Sequence, residues 1–495
     1  WMAAGFYGVA KAALNSITIN LAAEMASMGI RVNAIAPGII ETKLAAALTT
    51  SQEIMDRVLA RTPLGRTGQP DEIAGAVLFL AQAPYVTGQS LAVGARGLPP
   101  LSTAPSNDGL MLVDDGPDPK FPLDGSGRLR VAPLVEPPRS SLAGYLDDQY
   151  PNNIYGETPH SSLARQLAVL GQRDLGRALT TAHAIVGWSG HRMTDIDKSG
   201  SGRAYPGSLM EARAFLRAAQ QRGLRLGFAA VVLTHGESDW DNADYGAQVE
   251  RLQRDYDADL RALTGQPEPV VMLATQEAGY PGTSLVQPRS PVLLWQASQA
   301  SQGRVVLVGP KYQYPYHADG LHLTAAGYVR LGEKLGQVLH QVVMLGRPFV
   351  PLQPLRVKRD GLTVRIDFQV PTPPLAFETT LAPPHQSKYK EWARGRGFEV
   401  EDDDGPVQIT EAKLVPGEDA VVLTLGRDLK TGAVVRYAQT QDADIESGGT
   451  PLGRRGQLRD SDPFEGADAE TASCQAMMGS TVLRCGALHP ARQPS

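Results

Sequence analysis

Apolar positions in the middle of the chain form short runs, and each run is followed by a stretch with helical spacing. The runs are Ala182–Val186, Phe228–Leu233, Val270–Ala274 and Val305–Val308. The helical stretches are about 207–222, 245–263, 290–301 and 324–344. A strand followed by a helix, repeated several times, is typical of a parallel sheet with helices on both faces. We therefore predict an α/β fold for this part of the chain.

The region after the central part carries a different pattern. Residues 355–368 alternate between apolar and polar positions on either side of Asp360-Gly361, which is a hairpin signal. Further short strands are predicted as far as Tyr437, and from about Gln439 the sequence is polar and rich in Gly and Asp. We predict a small β-sandwich accessory domain at 351–440 and a loop-rich tail at 441–495.

Composition and charge narrow the function classes. The chain has 495 residues, of which 42% are hydrophobic and 20% charged, with a formal net charge of −5. We therefore expect several globular domains, and no nucleic-acid or anionic-membrane partner, because both need clustered Lys and Arg. No apolar stretch approaches the roughly 18–20 residues that span a bilayer. No signal peptide is visible, so a cytoplasmic location is the default expectation. Cys474 and Cys485 are either free thiols or a local disulfide.

The first 87 residues contain a Tyr-x-x-x-Lys pair at the start of a long helical pattern. At i and i+4 of a helix, Tyr7 and Lys11 are expected on one helix face, a spacing at which an ammonium could lower the pKa of a phenol. A predicted strand at Ile30–Ala36 ends at Pro37-Gly38, and a further helix begins at Pro70.

This segment, 1–87, resembles the C-terminal third of a short-chain dehydrogenase/reductase, which is a partial Rossmann fold. The resemblance implies that Lys11 holds the nicotinamide ribose and that Thr42 faces the carboxamide. The glycine-rich dinucleotide loop and the catalytic serine upstream of the tyrosine are absent. We therefore expect no cofactor and regard Tyr7 and Lys11 as a vestigial pair.

Three further motifs follow predicted strands in the central part. They are Gly88-Gln89-Ser90, His235-Gly236-Glu237-Ser238-Asp239 and Asp319-Gly320-Leu321-His322. In open α/β sheets, ligand crevices form beyond the carboxyl ends of strands. A turn that carries Asp319 and His322 at i and i+3 can orient one imidazole nitrogen while the other faces a serine.

In this order the motifs resemble the SGNH (GDSL-like) hydrolases, and among them the sialate and carbohydrate O-acetylesterases. The resemblance implies a three-layer α/β/α, flavodoxin-like domain at 86–350 with a Ser90, His322 and Asp319 triad that hydrolyses acetyl esters. The oxyanion hole would use the backbone N–H groups of Ser90 and Gly190.

The resemblance also implies an oxyanion and active-site loop formed by Gly190, Gly236, Glu237 and Ser238. Ser238 stands where the family has an Asn, and Glu237 either lines the site or ties the loops together. The expected partner is an acetylated carbohydrate or another small ester, with no metal ion. Aromatic residues of the later loops either form a sugar platform or pack in the core. Those considered are Trp240, Tyr280, Trp295, Tyr312, Tyr314 and Tyr316.

Two alternatives remain open at this point. The chain is a truncated NAD(P)-dependent short-chain dehydrogenase/reductase, or it is a non-catalytic glycan-binding protein with an esterase-like fold.

Overall fold

The computed structural model describes about two thirds of the chain in two compact units, Trp1–Leu98 and Pro99–Ser495. The described residues are 17–18, 20–37, 40, 67–82, 87, 90–93, 106–114, 129–136, 157–186, 190–200, 202, 204–279, 288–316, 320–442, 453–462, 478 and 481–484. Both helices and strands are present in each unit, so the protein is a mixed α/β protein, as the sequence predicts.

The described part of the first unit is built on one pair of parallel strands. Strand β1 (Ala34–Pro37) pairs with β2 (Ser90–Val93), with Ala34 opposite Ser90 and Pro37 opposite Val93. Helix α1 (Pro70–Gln82) begins as predicted, with proline at its first position and Asp71 and Glu72 in its first turn.

The end of α1 is held by a cation from the segment before β1. Arg31 donates hydrogen bonds from Nη1 to the carbonyl oxygen of Leu80 (2.7 Å) and from Nη2 to that of Ala81 (2.8 Å). These carbonyls lie in the last turn of the helix, where a positive charge also meets the negative end of the helix dipole. Arg31 therefore couples the segment before β1 to the end of α1.

The second unit begins with a mixed sheet of three strands. Strand β3 (Ser106–Asp114) pairs antiparallel with β4 (Leu129–Leu134) and parallel with β5 (Thr181–Ala182). Helix α2 (His160–Leu175) packs on β3 and along a later helix, α7 (Ala325–Leu339). Glycine is needed at position 109 of β3, because a Cβ there would lie 2.6 Å from Cδ2 of Leu134.

A parallel sheet of three strands forms the centre of the second unit. Helices α3 (Met193–Ile196) and α4 (Ala204–Gln220) precede β6 (Ala230–Leu233). Helix α5 (Tyr245–Thr264) leads to β7 (Val271–Gln276), and α6 (Ser290–Ala300) leads to β8 (Val305–Pro310). The strand order is β6-β7-β8, and every residue of β7 and β8 is buried.

Alternate residues of these strands enter two different hydrophobic cores. Val271 and Leu273 lie in a core with α2 and with α7 (Ala325–Leu339), whereas Met272 and Ala274 lie in a core with α5 and α6. Successive side chains of a strand point to opposite faces of a sheet, so a strand buried on both faces reads as an unbroken apolar run. Helices therefore pack on both faces of this sheet.

The remainder of the second unit consists mainly of antiparallel strands. They are β9 (Gln353–Asp360), β10 (Thr363–Gln369), β11 (Ala376–Phe377), β12 (Phe398–Asp402), β13 (Gly405–Pro406), β14 (Ile409–Leu414), β15 (Ala420–Leu425), β16 (Val434–Tyr437), β17 (Leu458–Arg459) and β18 (Thr481–Arg484). Two four-stranded sheets have the orders β14-β15-β10-β9 and β13-β12-β16-β18. Residues of both sheets share one core, including Ile366, Leu423, Phe398 and Val435. Strands β17 and β18 lie inside 441–495, the segment predicted to be loop-rich.

The part of the chain that the structure describes contains no helix that is long and apolar enough to cross a membrane.

Candidate functional site

Three charged side chains follow the three neighbouring strands of the parallel sheet. Glu277 comes directly after β7, Lys311 comes directly after β8, and Glu237 lies in the loop after β6. Carboxyl ends of parallel strands meet at one edge of the sheet, so these side chains converge. Lys311 Nζ lies 2.5 Å from Glu277 Oε2 and 3.1 Å from Glu237 Oε1. We call Glu237, Glu277 and Lys311 the strand-end cluster.

Burial controls the ionisation of this cluster. Lys311 is only 4% exposed and Glu277 only 3%. Burial would raise the pKa of Glu237, but the Lys311 ammonium and a hydrogen bond from Glu277 outweigh it and lower that pKa to about 2. Burial and the neighbouring Glu237 carboxylate instead raise the pKa of Glu277 well above its usual range.

The third member of the cluster keeps its positive charge. Burial would lower the pKa of Lys311, but the carboxylates of Glu237 and Glu277 outweigh it and raise that pKa. The Lys311 ammonium therefore lies between two carboxyl groups, of which Glu277 holds its proton more strongly than Glu237. The positive charge of Lys311 offsets the negative charge beside it, which reduces the electrostatic cost of burying the cluster.

The loop after β6 is anchored by a buried carboxylate. Asp239 is 0% exposed and accepts hydrogen bonds from the Met193 backbone N–H (2.7 Å) and from Asn242 Nδ2 (2.6 Å). The Nε2 atom of His235 lies 3.5 Å from this carboxylate and 2.9 Å from the carbonyl oxygen of His191. Asp239 and His235 therefore connect the loop to the segment around α3.

Gly236 and its neighbours have structural partners as well. The Gly236 φ angle is +144°, and its carbonyl oxygen accepts a hydrogen bond from Ser290 Oγ at 2.8 Å. Tyr245 donates a hydrogen bond from its hydroxyl group to the carbonyl oxygen of His235 at 2.6 Å. Ser238 is half-buried in the same loop. Glu237, in the same loop, contacts Lys311 at the end of β8.

The turn before α7 reaches the same edge of the sheet. A Cβ on Gly279, two residues beyond Glu277, would lie 2.7 Å from the Gly320 carbonyl oxygen and 3.1 Å from Leu321 Cα. The segment after β7 thus packs against the turn that carries His322, whose side chain is exposed. Thr324 caps α7, accepting a hydrogen bond from the Gly327 N–H at 3.1 Å.

The remaining predicted site residues lie elsewhere or outside the described residues. Gly190 is exposed, with a φ angle of +73°. Asp319 lies outside the described residues, as do Tyr7, Lys11 and Thr42. Ser90 belongs to the first unit, where it is the first residue of β2.

Several aromatic residues that were considered for a sugar platform are core residues. Tyr312 is 6% exposed and joins the hydrophobic core of the C-terminal sheets, and its hydroxyl donates to the Met478 carbonyl oxygen at 2.5 Å. Tyr314, also 6% exposed, belongs to the core between α2 and α7. Trp295 donates a hydrogen bond from Nε1 to Gln353 Oε1 at 3.2 Å. Tyr280 lies outside the described residues.

Sequence reasoning missed two of the three cluster residues. Glu277 and Lys311 each stand directly after a buried apolar strand, in the segments VMLATQ-E and VVLVGP-K. A charged residue immediately beyond such a strand is the signal that could have identified them, since strand ends are where ligand crevices form.

Comparison with known proteins finds similarity in the N-terminal region of the chain. Residues 1–95 match a family model described as enoyl-(acyl carrier protein) reductase. A tropinone reductase homolog of Arabidopsis thaliana is 46% identical over 89 residues, which cover 18% of this chain and 34% of the relative. Galactitol 2-dehydrogenase (L-tagatose-forming) of Cereibacter sphaeroides is 47% identical over 92 residues, which cover 18% of this chain and 36% of that relative. The N-terminal region matches the short-chain dehydrogenases/reductases.

A solved structure covers a similar share of the chain. The 3-oxoacyl-[acyl-carrier protein] reductase from Brucella melitensis is 39% identical, covering 18% of this chain and 32% of that chain, with a TM-score of 0.17. The chain spans about a third of the length of the curated relatives that it matches. The family match of residues 1–95 identifies the N-terminal region as a Rossmann-like fragment within a mixed α/β protein.

The prediction of a carboxylic ester hydrolase with an SGNH catalytic triad is wrong. The proteins that this chain matches are oxidoreductases, including a tropinone reductase homolog and galactitol 2-dehydrogenase. The matched residues, 1–95, also include Gly88-Gln89-Ser90, which the esterase interpretation assigned to a different domain. A serine nucleophile was expected just after the end of its strand, whereas Ser90 begins β2 and pairs with Ala34 of β1.

Proposed function

We propose that residues 1–95 are the C-terminal part of an NAD(P)-dependent short-chain dehydrogenase/reductase that supplies a proton-transfer pair, Tyr7 and Lys11, but no phosphate-binding site. The observation that carries this proposal is the Tyr-x-x-x-Lys pair inside a region that is 46% identical, over 89 residues, to a tropinone reductase homolog. Oxidoreductase activity then depends on a nucleotide-binding part outside the matched region.

Helix α1, in the described part of the first unit, does not fit the cofactor's pyrophosphate group. Such a group binds to backbone N–H groups at a helix N-terminus that follows a glycine-rich turn. In the described part of the first unit, α1 begins with Pro70, Asp71 and Glu72. The proline lacks an N–H, and the two acidic side chains repel phosphate. We therefore assign no step of a reaction to a cofactor held by these residues.

The chain's own contribution would be proton transfer. Lys11, one helical turn from Tyr7, would stabilise the phenolate and lower the pKa of Tyr7. Tyr7 could then exchange a proton with a hydroxyl or carbonyl oxygen of a substrate near neutral pH. Strands β1 and β2, with α1 held by Arg31, form the scaffold beyond this pair.

A chimera tests this proposal. The nucleotide-binding part of the galactitol 2-dehydrogenase of Cereibacter sphaeroides would be fused ahead of the present chain. We expect the chain alone to give no heat of binding with NAD or NADP. The chimera should bind one of them and oxidise a polyol. Tyr7→Phe should reduce turnover by about 10²–10⁴-fold, the usual contribution of a general acid–base group.

A matched control is Tyr389→Phe, in the second unit, which should leave turnover unchanged. Micromolar binding of NAD or NADP by the chain alone would show that the chain does hold a nucleotide-binding site. An active chimera that is indifferent to Tyr7→Phe would contradict the assignment of the pair.

For the second unit, we propose a three-layer α/β/α arrangement in its central part and a β-sandwich in the sheets from β9 onward. The two cores on opposite faces of β7, and the single core shared by the two four-stranded sheets, support this assignment. Limited proteolysis should cut between the two parts before it cuts within either one.

A further inference from the structure

Two histidine rings converge between α2 and β5, away from the strand-end cluster. His160 is the first residue of α2, and His183 follows β5 directly. Their Nδ1 atoms lie 3.3 Å apart. The ring planes make an angle of 83°, and the ring centroids are 5.4 Å apart. The two Nδ1 atoms therefore point at a common region between the rings.

The separation of the two Nδ1 atoms fits two ligands of one metal ion and, without an ion, a long hydrogen bond between the rings. Hydrogen bonds from an N–H group to an oxygen most often span about 2.9–3.0 Å, so 3.3 Å is long for a hydrogen bond. Two imidazole nitrogens bound at about 2.0–2.1 Å to a tetrahedral Zn²⁺ lie about 3.3–3.4 Å apart, with ring centroids about 5.2 Å apart. The observed 3.3 Å and 5.4 Å are close to both values.

Neighbouring groups fix the orientation of the rings. His183 Nε2 lies 2.7 Å from Thr181 Oγ1, and the His183 backbone N–H donates to the Leu110 carbonyl oxygen at 2.8 Å. A hydrogen bond from the second ring nitrogen is the usual support for a metal-bound histidine. His160 is carried by a helix of 16 residues whose Leu163 and Leu167 are buried in the core. Both ligands are thus attached to rigid elements.

A buried carboxyl group, that of Glu136, lies at the N-terminus of α2, beside the two histidines. The N-terminus of α2 carries the positive end of the helix dipole, which disfavours a cation. Glu136, which is 5% exposed, accepts hydrogen bonds there from the Ser161 N–H at 2.9 Å and from the Thr158 N–H at 3.0 Å. Glu136 therefore occupies the hydrogen-bond donors at this helix end, beside the two rings.

We propose that His160 and His183 form a two-histidine site for a divalent cation of the Zn²⁺, Ni²⁺ and Cu²⁺ class. Imidazole nitrogen is a preferred ligand of these ions. Within the described residues, no group of three or more His, Cys, Asp or Glu side chains is arranged to hold a metal ion. In the proposed site, water or a small ligand would complete the coordination.

Metal titration of the full-length chain tests the site. Zn²⁺ binding is measured by calorimetry, and Cu²⁺ binding by electron paramagnetic resonance, for the wild type, His160→Gln and His183→Gln. The matched control is His322→Gln, which replaces an exposed histidine of the same unit. Circular dichroism checks that each variant is folded. We expect one ion per chain, nitrogen couplings from two imidazoles, and at least tenfold weaker binding in His160→Gln and His183→Gln only.

Two results would overturn the proposal. One is an absence of wild-type Zn²⁺ and Cu²⁺ binding at about 100 µM metal. The other is wild-type affinity in both folded histidine variants, with loss of binding only in a Cys474→Ser, Cys485→Ser chain. That pattern would place the metal on the two thiols.

Discussion

Replacing Lys311 by methionine should destabilise the second unit strongly. Methionine keeps the apolar stem of the side chain but removes the ammonium that contacts Glu237 and Glu277. Removal of one partner from a buried ion pair typically costs about 3–5 kcal/mol, because the remaining charge stays buried without compensation. Lys311 is 4% exposed, so we expect the Lys311→Met variant to fall within this range at pH 7.

The cost of Lys311→Met should depend on pH. In the wild type, the pKa of Glu237 is lowered to about 2, so its contribution to stability is present above its ordinary pKa of 4.5 and is lost as the pH falls toward 2. Without the ammonium, burial raises that pKa instead, and the variant binds a proton more readily as the pH falls. The difference between the two proteins should therefore be largest near pH 7 and smaller near pH 4.

Urea unfolding, followed by tryptophan fluorescence at pH 4 and pH 7, measures these differences. The matched control is Lys413→Met, because the Lys413 side chain is 68% exposed and its ion pair with Glu411 should contribute less than about 1 kcal/mol. Adding Glu237→Gln to Lys311→Met should recover a large part of the loss, since the carboxylate of Glu237, whose pKa the ammonium lowers, is then absent. A loss below about 1 kcal/mol at pH 7, or an equal loss at both pH values, would refute the electrostatic argument.

Three further substitutions test other parts of the structure. Gly236→Ala should cost about 1–3 kcal/mol in thermal unfolding, because its φ angle of +144° strains any residue with a Cβ; a melting temperature equal to the wild type's would contradict this. Asp239→Ala should cost about 1–3 kcal/mol in urea unfolding, because buried donors of Met193 and Asn242 lose their acceptor. Arg31→Ala should accelerate hydrogen exchange at the C-terminal end of α1, where two carbonyl hydrogen bonds are lost; unchanged exchange would show that Arg31 does not hold that helix end.

Much of the central fold could be predicted from the sequence. The predicted strands Phe228–Leu233, Val270–Ala274 and Val305–Val308 correspond to β6, β7 and β8, within two residues at each end. The helical stretch at 245–263 corresponds to α5. These elements are predictable because buried parallel strands are unbroken apolar runs, and because amphipathic helices repeat every 3.6 residues.

The segment around Ser90 could not be interpreted correctly from local pattern alone. Gly88-Gln89-Ser90 resembles a nucleophile turn, and Ser90–Val93 also reads as a short apolar strand. Which reading applies depends on the partner strand, Ala34–Pro37, which lies more than 50 residues away in the sequence. Strand pairing is a long-range property, so a four-residue pattern does not determine it.

The strand-end cluster illustrates the same limit. Glu237, Glu277 and Lys311 are separated by tens of residues, and each alone is an ordinary charged residue after a strand. Their meeting depends on the order β6-β7-β8. Sequence pattern predicted the strands but not their order, and for that reason it identified Glu237 without its two partners.

The pH dependence of the second unit should contain a separate contribution from Glu136. Burial raises its pKa from 4.5 to about 7, despite hydrogen bonds from Thr158 and Ser161 that lower it. The folded state then binds more protons than the unfolded state between these two values, so the stability due to Glu136 falls as the pH rises through this window. A shift of this size corresponds to about 3 kcal/mol.

Glu136→Gln isolates this contribution, because glutamine does not titrate. The unfolding free energy of the wild type, measured relative to Glu136→Gln, should fall by about 3 kcal/mol between pH 4.5 and pH 7 and change little above pH 8. A metal chelator in all samples keeps the nearby histidine pair free of cations. Glu411→Gln, at a carboxylate that is 45% exposed, is the matched control and should give a smaller change. A difference that is constant with pH, or one that rises with pH, would show that the hydrogen bonds to Glu136 outweigh its burial.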